Sequence, residues 1–312
     1  MDLTTINNTT LLILAGGMGS RYKGQKQIDT ISENNETLME YALYDAVKVG
    51  IRKFVFIINE MFPEAYKKTI YNLLTRQNAE VHFIEQTLDK HIPKKYLLKL
   101  SSRRKPLGTA HAVYCAKDKI NGPFITMNAD DFYGLETFKT ARLSIDNKEV
   151  LENQYVMLAF ELGNTLSENG SVSRGKCDVT NGLLYKVEEY TFIEKMENQI
   201  MGLDEEMKAK TLQKNDLVSM NFWILDPSFF QFCEKELFRF LEENSNVNTN
   251  EFYLPSVIDT VIQNKKVNVK VLATSEKWFG LTYPGDKQKV MSEIQLKKQQ
   301  GVYPEKLWNN FI

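Results

Sequence analysis

Leu11-Leu12-Ile13-Leu14-Ala15-Gly16-Gly17-Met18-Gly19-Ser20-Arg21, followed by Lys26, is the stretch on which the reading of this chain turns. An uninterrupted apolar run of this length makes a short buried strand. The chain then breaks at once into a glycine-rich turn that delivers an arginine and, five residues later, a lysine. Glycines let backbone N–H groups approach a phosphate closely, and basic side chains supply charge beside it. The stretch therefore predicts a strand that ends in a phosphate cradle.

Outward from this point the first half alternates strand-like and helix-like runs. Leu38–Val49 repeats apolar residues at helical spacing and stops at Gly50, Phe54–Ile58 is a second strand, and Pro63–Thr75 is a helix. Val81–Glu85 is a third strand, Ala110–Ala116 a helix and Pro123–Met127 a further strand. Such alternation predicts a mostly parallel sheet wrapped by helices, an α/β class of Rossmann-like type. Residues 87–105 form a long, polar, basic excursion. Beyond residue 150, Tyr155–Glu161, Lys176–Val179, Leu183–Tyr190 and Val218–Leu225 are strands bounded by Gly and Asn turns, which predicts a smaller antiparallel sheet facing the substrate. Helices follow at Pro227–Leu241 and Tyr253–Gln263, a strand at Val267–Ala273, and an amphipathic tail helix at Asp286–Gln299 capped by Gly301. The expected organisation is one domain over 1–290, with halves of about 10–150 and 151–285, and a C-terminal helix and tail at 286–312.

Composition narrows the partners. The 312 residues carry 39 Lys+Arg against 40 Asp+Glu, a formal charge of -1, so no global basic field recruits nucleic acid or an anionic membrane. Cys115, Cys177 and Cys233 are scattered, without metal-ligand spacing, as in a reducing compartment. The first residues lack a basic signal region and Leu11–Ala15 is too short to span a membrane, so a cytoplasmic location is expected. The basic run Lys94-Lys95, Lys99, Arg103-Arg104-Lys105 has no interleaved aromatic platform and reads as a solvated loop rather than a nucleic-acid site. Arg104 or Lys105 folding over a triphosphate is a variant of that reading.

The glycine turn has rivals. A dinucleotide fingerprint needs a third glycine where Tyr22 stands and an acidic residue where the second strand runs into Asn59. The ATPase loop needs Gly-Lys-Ser/Thr, which does not follow. Two further constellations join the turn. Lys105-Pro106-Leu107-Gly108-Thr109-Ala110-His111-Ala112-Val113 offers a close backbone approach at Gly108 and a cap for the next helix at Thr109, while His111 reads as a packing residue. Thr126-Met127-Asn128-Ala129-Asp130-Asp131 places carboxylates just past a strand, at the sheet edge where open α/β folds bind ligands and where hard oxygen donors suit Mg²⁺.

Taken in this order, Ala-Gly-Gly-Met-Gly-Ser-Arg with Lys26, Leu-Gly-Thr-Ala-His-Ala and the Asp130 segment resemble the nucleoside-triphosphate:sugar-phosphate nucleotidyltransferases over roughly residues 10 to 290. The resemblance implies a GT-A-like nucleotidyltransferase fold. It implies that Leu14, Ala15, Gly16, Gly17, Met18, Gly19 and Ser20 hold the triphosphate, with Arg21 on the pyrophosphate leaving group. Lys26, in preference to Lys23, contacts the transferring phosphate. Gln86, Gly108 and Thr109 line the base pocket, and Asp130 holds Mg²⁺. On the acceptor side it implies Asn221, within Val218-Ser219-Met220-Asn221-Phe222-Trp223, and a Glu-Lys element for which Glu188-Glu189 and Glu194-Lys195 compete. Glu194-Lys195 is preferred because its lysine suits a sugar phosphate. Glu251-Phe252-Tyr253-Leu254-Pro255 resembles the acceptor-side helix start. One departure stands out: the residue matching the family's second metal ligand is Gly280, and Asp286 is the candidate to replace it.

The implied reaction moves a nucleotidyl group from an NTP, UTP or dTTP before CTP, to a sugar-1-phosphate, releasing pyrophosphate with Mg²⁺ as cofactor. Two alternatives are a cytidylyltransferase acting on a non-sugar phosphate such as phosphocholine, and a non-catalytic regulatory homologue suggested by Gly280. The tail helix covers either its own core or a neighbour, which leaves a homo-oligomer open.

Overall fold

Alternation along β1 (Thr10–Leu14) sets the architecture: Leu11 and Ile13 enter one hydrophobic cluster, and Leu12 and Leu14 enter another. Successive side chains on a strand point to opposite faces, so both faces of this sheet must be covered. The computed structural model describes residues 8–17, 28–196, 199–243, 246–274 and 276–309. On one face lie α1 (Leu38–Lys48), α2 (Glu64–Thr75) and α4 (Leu135–Asp146). The other face is covered by α3 (Thr109–Cys115), α5 (Phe229–Glu243) and α6 (Leu254–Gln263).

Beside β1 run β2 (Lys53–Ile58) and, on the other side, β4 (Phe124–Asn128), both parallel to it. β3 (Glu80–Glu85) pairs parallel with β2 at the sheet's outer edge. β6 (Gln154–Glu161) is the parallel partner of β12 (Asn268–Ala273), and β11 (Leu217–Leu225) lies antiparallel between β4 and β6. The antiparallel strands β7 (Val172–Thr180), β8 (Leu183–Met196), β9 (Gln199–Leu203) and β10 (Ala209–Leu212) continue this sheet instead of standing apart from it. β7 pairs β11 and β8 pairs β12, which joins the group to the main sheet, while β8, 14 residues long, pairs β7 from Leu183 to Ile193 and β9 from Thr191 to Met196. The short pair β5 (Asp131–Phe132) and β13 (Phe279–Gly280) forms a separate antiparallel ladder. Among the described residues, no helix is long and apolar enough to cross a membrane.

α1 begins where Thr37 Oγ1 accepts the Glu40 N–H at 3.3 Å, and the chain leaves it through Gly50 at φ 91°. Nearly the whole helix is buried, because its outer side is covered by α7 (Asp286–Gln299) and the tail after it. Tyr303 meets Tyr41 edge-on at 5.0 Å and donates its hydroxyl to Asp45 at 2.7 Å. Burial pushes the Asp45 carboxyl up to about 8. Lys298, 3 % exposed in its side chain, pairs with Glu36 at 3.0 Å and donates to the Glu305 carbonyl at 2.6 Å. Burial opposes the Glu36 charge, yet the Leu307 N–H, the Tyr41 hydroxyl, Lys298 and Ser32 together hold its carboxyl below the usual range.

Removing one member of a buried, hydrogen-bonded ion pair strands its partner's charge, which typically costs about 3–5 kcal/mol. Lys298→Met is therefore expected to lower the free energy of unfolding by about 3 kcal/mol in a denaturant titration. A loss below about 1 kcal/mol, the range of exposed pairs, contradicts the role given to this pair.

Candidate active site

The parallel register decides which residues meet. Leu14 stands opposite Asn128 across β1 and β4, and the Ala129 N–H donates to the Leu14 carbonyl at 3.2 Å. Gly16-Gly17 and the Asp130 segment therefore leave the sheet side by side. Ala15 donates its N–H to the Ile57 carbonyl at 2.8 Å, and Asn59 Nδ2 donates to the Gly16 carbonyl at 3.1 Å. A Cβ at Gly16 would lie 3.3 Å from Gln86 Oε1, tighter than most such contacts, and in ordinary contact with the Ile58 carbonyl at 3.5 Å. Met18, Gly19, Ser20, Arg21, Lys23 and Lys26 lie outside the described residues.

Gln86 follows β3 and crosses to the second constellation. Its Nε2 donates to the Gly108 carbonyl at 3.0 Å and to His111 Nδ1 at 3.3 Å, leaving Oε1 on the side of Gly16. His111 Nε2 donates in turn to the Lys90 carbonyl at 2.9 Å, so the ring is the neutral tautomer with its proton on Nε2. Burial pushes the His111 pKa down to about 4, against the pull of the Lys90 carbonyl. Both ring nitrogens of His111 are thus engaged, Nδ1 by Gln86 and Nε2 by the Lys90 carbonyl. Gly108 sits at φ 126°, and a Cβ there would lie 2.5 Å from the Phe252 carbonyl oxygen. Phe252 bridges the chain on both sides of it, donating to the Leu107 carbonyl at 2.7 Å and accepting from the Ala110 N–H at 3.0 Å.

Thr109 differs from the sequence expectation. It does not cap its own helix, whose N-cap is Gly108 without a side-chain bond; its Oγ1 accepts the Leu254 N–H at 2.9 Å and so caps α6. Arg103 differs too. Its guanidinium is buried and donates to the carbonyls of Lys105, Pro106, Val247 and Asn250 at 2.6–2.8 Å, clamping the segment before Gly108 to the one before Phe252. Four carbonyls arranged around one fork cannot be inferred from a basic run. Arg104 and Lys105 stay exposed.

Asn221 lies where β11 slips register against β6 between Ser219 and Trp223, at φ 59°. An irregularity of this kind re-aims a side chain beside a site. Its Nδ2 donates to Asn128 Oδ1 at 3.1 Å, and Asn128 Nδ2 donates to Asp131 Oδ2 at 2.8 Å. Tyr133 closes the net, donating to the Met220 carbonyl at 2.7 Å and accepting the Asn128 N–H at 3.0 Å. Asp130 is half-buried at this edge, whereas Asp131 is buried within the net.

Neither the preferred acceptor pair nor the second metal candidate joins this group. Glu194 and Lys195 are exposed near the end of β8 and line a cavity of about 930 Å³ whose lining contains neither Asn221 nor Asp130. Glu189, from the competing register, instead interacts electrostatically with the buried Arg174, and burial pushes its carboxyl up to about 7. Arg174 stacks over Trp278 at 4.9 Å and feels Asp131, Glu189 and Asp130 together; burial lowers its pKa and the carboxylates oppose that. Arg174, Asn128 and Tyr133 were missed by sequence reasoning, because nothing in Ser173-Arg174-Gly175 or Asn128-Ala129 marks an inward-facing side chain.

Asp286 is corrected from metal candidate to loop staple. Its Oδ1 accepts from Ser167 Oγ and Asn169 Nδ2, both at 2.8 Å, and its Oδ2 accepts the N–H groups of Thr282 at 3.0 Å and Tyr283 at 2.7 Å. Two bonds per oxygen use its acceptor capacity. Gly280 pairs with Asp131 across β13 and β5, and a Cβ there would lie 2.6 Å from Asp131 Oδ1. A carboxylate side chain at position 280 would collide with the one already present. No group of three or more His, Cys, Asp or Glu side chains that could hold a metal occurs among the described residues. Asp130 at the sheet edge still suits Mg²⁺, which is usually held by one or two carboxylates together with substrate phosphates and water.

A sequence model of the nucleotidyl transferase family matches residues 10–279. A search of curated protein sequences returned no relative. Among solved structures, the inositol-1-phosphate CTP transferase of T. maritima aligns with a TM-score of 0.59 at 15% identity, over 93% of this chain and 97% of that one. A Bacillus anthracis protein assigned as a glucose-1-phosphate thymidylyltransferase, solved with sucrose, aligns at 0.60 and 13% identity, over 91% and 94%. A UDP-glucose pyrophosphorylase complexed with UDP-glucose aligns at 0.55 and 14%, over 93% and 99%. At these identities the structural likenesses establish the fold.

The His111 environment has a pH signature. Its folded pKa lies below the ordinary histidine value of about 6.5, so from there downward the unfolded chain takes up a proton the folded state refuses, and stability falls toward pH 4. Relative to His111→Asn, the unmodified chain is expected to lose about 1.6 kcal/mol more between pH 6.5 and 5. Parallel stability curves for the two proteins contradict the neutral assignment. At Gly108, alanine meets both a positive φ and the Phe252 carbonyl. Gly108→Ala is expected to cost at least about 2 kcal/mol in unfolding free energy, and wild-type stability contradicts the close pairing.

Proposed function

The chain belongs to the nucleotidyl transferase family, and from that premise we propose that it joins an NTP to a sugar-1-phosphate, giving an NDP-sugar and pyrophosphate. It is a nucleotidyltransferase; the acceptor, the base and the residue roles are the proposal. The observation that carries it is the register that sets Leu14 against Asn128, because it brings Gly16-Gly17 and Asp130 to one sheet edge. A phosphate cradle and a carboxylate for its counter-ion need that adjacency.

An oxygen of the acceptor phosphate attacks the α-phosphorus; a new P–O bond forms as the bond to the bridging oxygen of pyrophosphate breaks, and no covalent enzyme intermediate is required. Rate enhancement then comes from alignment and charge neutralisation. Gly16 and Gly17 let the backbone approach the phosphates. Arg21 takes the leaving pyrophosphate, and Lys26 takes the phosphoryl oxygens that become crowded with charge. Asp130 would hold Mg²⁺, which when bound offsets phosphate charge and fixes phosphate orientation. Asn221, already oriented by Asn128, offers its remaining amide capacity to acceptor hydroxyls.

Base selection rests on Gln86. Its Nε2 is committed to Gly108 and His111, so only the carbonyl Oε1 remains to face a base. An acceptor atom at that place suits the N3–H of uracil or thymine, which supports UTP or dTTP ahead of CTP.

Pyrophosphate release is the measurement, with each of UTP, dTTP, CTP, ATP and GTP plus Mg²⁺ against a panel of sugar-1-phosphates and phosphocholine. Turnover is expected with UTP or dTTP and a sugar-1-phosphate, and Lys26→Ala or Asp130→Ala should reduce kcat by at least about 10²–10³ with folding intact. Release with no pair, or wild-type rates in either variant, overturns the proposal; release with phosphocholine and CTP alone replaces the acceptor and base assignment.

A further inference from the structure

Six lysines lie between Val172 and Lys214, and four of them sit beside a carboxylate: Lys176 with Asp178, Lys186 with Glu188, Lys208 with Glu206 and Lys210 with Asp204. The two without a carboxylate partner among the described residues, Lys195 and Lys214, line the same cavity of about 930 Å³. That volume is within the usual range for small-molecule sites, about 300–1,000 Å³. Lys195 comes from the end of β8 and Lys214 from the segment after β10, so separate segments of the chain bring them to the cavity wall. Leu166, Ile200 and Leu212 supply apolar wall, and Gln199 and Thr211 supply neutral hydrogen-bonding groups. The remaining charges are Lys289, paired with Glu168 at 2.9 Å, and Glu194.

Two lysines with no carboxylate partner among the described residues, on a partly apolar wall, are a recognition pattern for a ligand with an anionic head and a less polar body. We propose that this cavity binds a phosphorylated small molecule, its phosphate held by Lys195 and Lys214. Gly163, Leu166, Ser167 and Lys289 are shared with a smaller cavity of about 140 Å³ that reaches Arg174, Trp278 and Gly280. Gly280 pairs with Asp131, the neighbour of Asp130. The phosphate therefore belongs either to the far end of an extended acceptor or to a separate ligand. The binding claim is independent of the transfer reaction.

Lysine acetylation read by mass spectrometry on the full chain tests it, with inorganic phosphate as the probe and potassium chloride at matched ionic strength as the control. At phosphate concentrations twice the dissociation constant, two-thirds occupancy should slow acetylation of Lys195 and Lys214 about threefold, leaving exposed Lys265 unchanged. Thermal shifts then separate the sources, comparing the unmodified chain with the double variant K195Q/K214Q. A stabilisation by glucose 1,6-bisphosphate that exceeds that by glucose 1-phosphate, and is lost in the double variant, identifies the far end of an acceptor. Equal stabilisation by inorganic phosphate and both sugar phosphates, lost in the double variant, identifies a separate ligand. Acetylation of both lysines unchanged by phosphate up to saturating concentrations overturns the proposal. Failure of pyrophosphate release in the assay above would overturn the transfer reading and leave this result standing.

Discussion

The pairing of β1 with β4 is the constraint on which the rest depends. Parallel strands have no freedom to exchange partners one residue at a time, because a single-residue slip turns every side chain to the opposite face. Here such a slip would exchange Leu11 and Ile13 with Leu12 and Leu14 between two fully covered faces. Packing on both sides thus holds the register, and the register holds Gly16 and Asp130 at one edge. Hydrophobic burial, which carries no direction, is converted by the sheet into a precise placement of polar groups.

Around that edge the site is built from side chains whose hydrogen bonds are spent on each other. Asn221, Asn128, Asp131 and Tyr133 form one net, and Gln86, His111 and Gly108 form a second. Both are anchored to backbone carbonyls, those of Met220 and Lys90. Groups oriented before a ligand arrives lose little freedom on binding it, which is the physical basis of preorganisation. Arg103 serves the same end without touching either net, since its fork binds the backbone that leads into Gly108 and into Phe252. Glycine at 280 is also part of this economy: Asp131 occupies the space that a side chain there would need.

The C-terminal segment is joined to the helix that follows the glycine turn. Lys298, Tyr303 and Leu307 all bind groups on or just before α1, and Lys287 on α7 pairs with Asp29 at 2.6 Å. Glu36, Glu40 and Asp45 lie beneath this cover, and burial pushes Glu40 up to about 7 as it pushes Asp45 up to about 8. A helix that would otherwise present tyrosines to water is sandwiched between sheet and tail.

Much of the architecture was legible in the residue order. The apolar run at Leu11–Leu14, the helix ending at Gly50 and the strands near Phe54 and Phe124 announce themselves through local periodicity, which needs no knowledge of neighbours. α4, β9 and β10 carry no clear local signal, because their patterns are diluted by charge and short length and they are stabilised by what they pack against. The alternation of strands and helices and the placement of Asp130 past a strand end were determined by sequence alone, since each depends on backbone preference and side-chain period within a few residues. Tertiary structure alone decided that Thr109 caps a helix 145 residues away, that Asp286 staples its own loop, that Glu189 and not Glu194 faces Arg174, and that Lys195 and Lys214 share a cavity. Those outcomes depend on which segments the sheet order brings together, and contacts between distant segments are a property of the packed chain, not of any stretch of it.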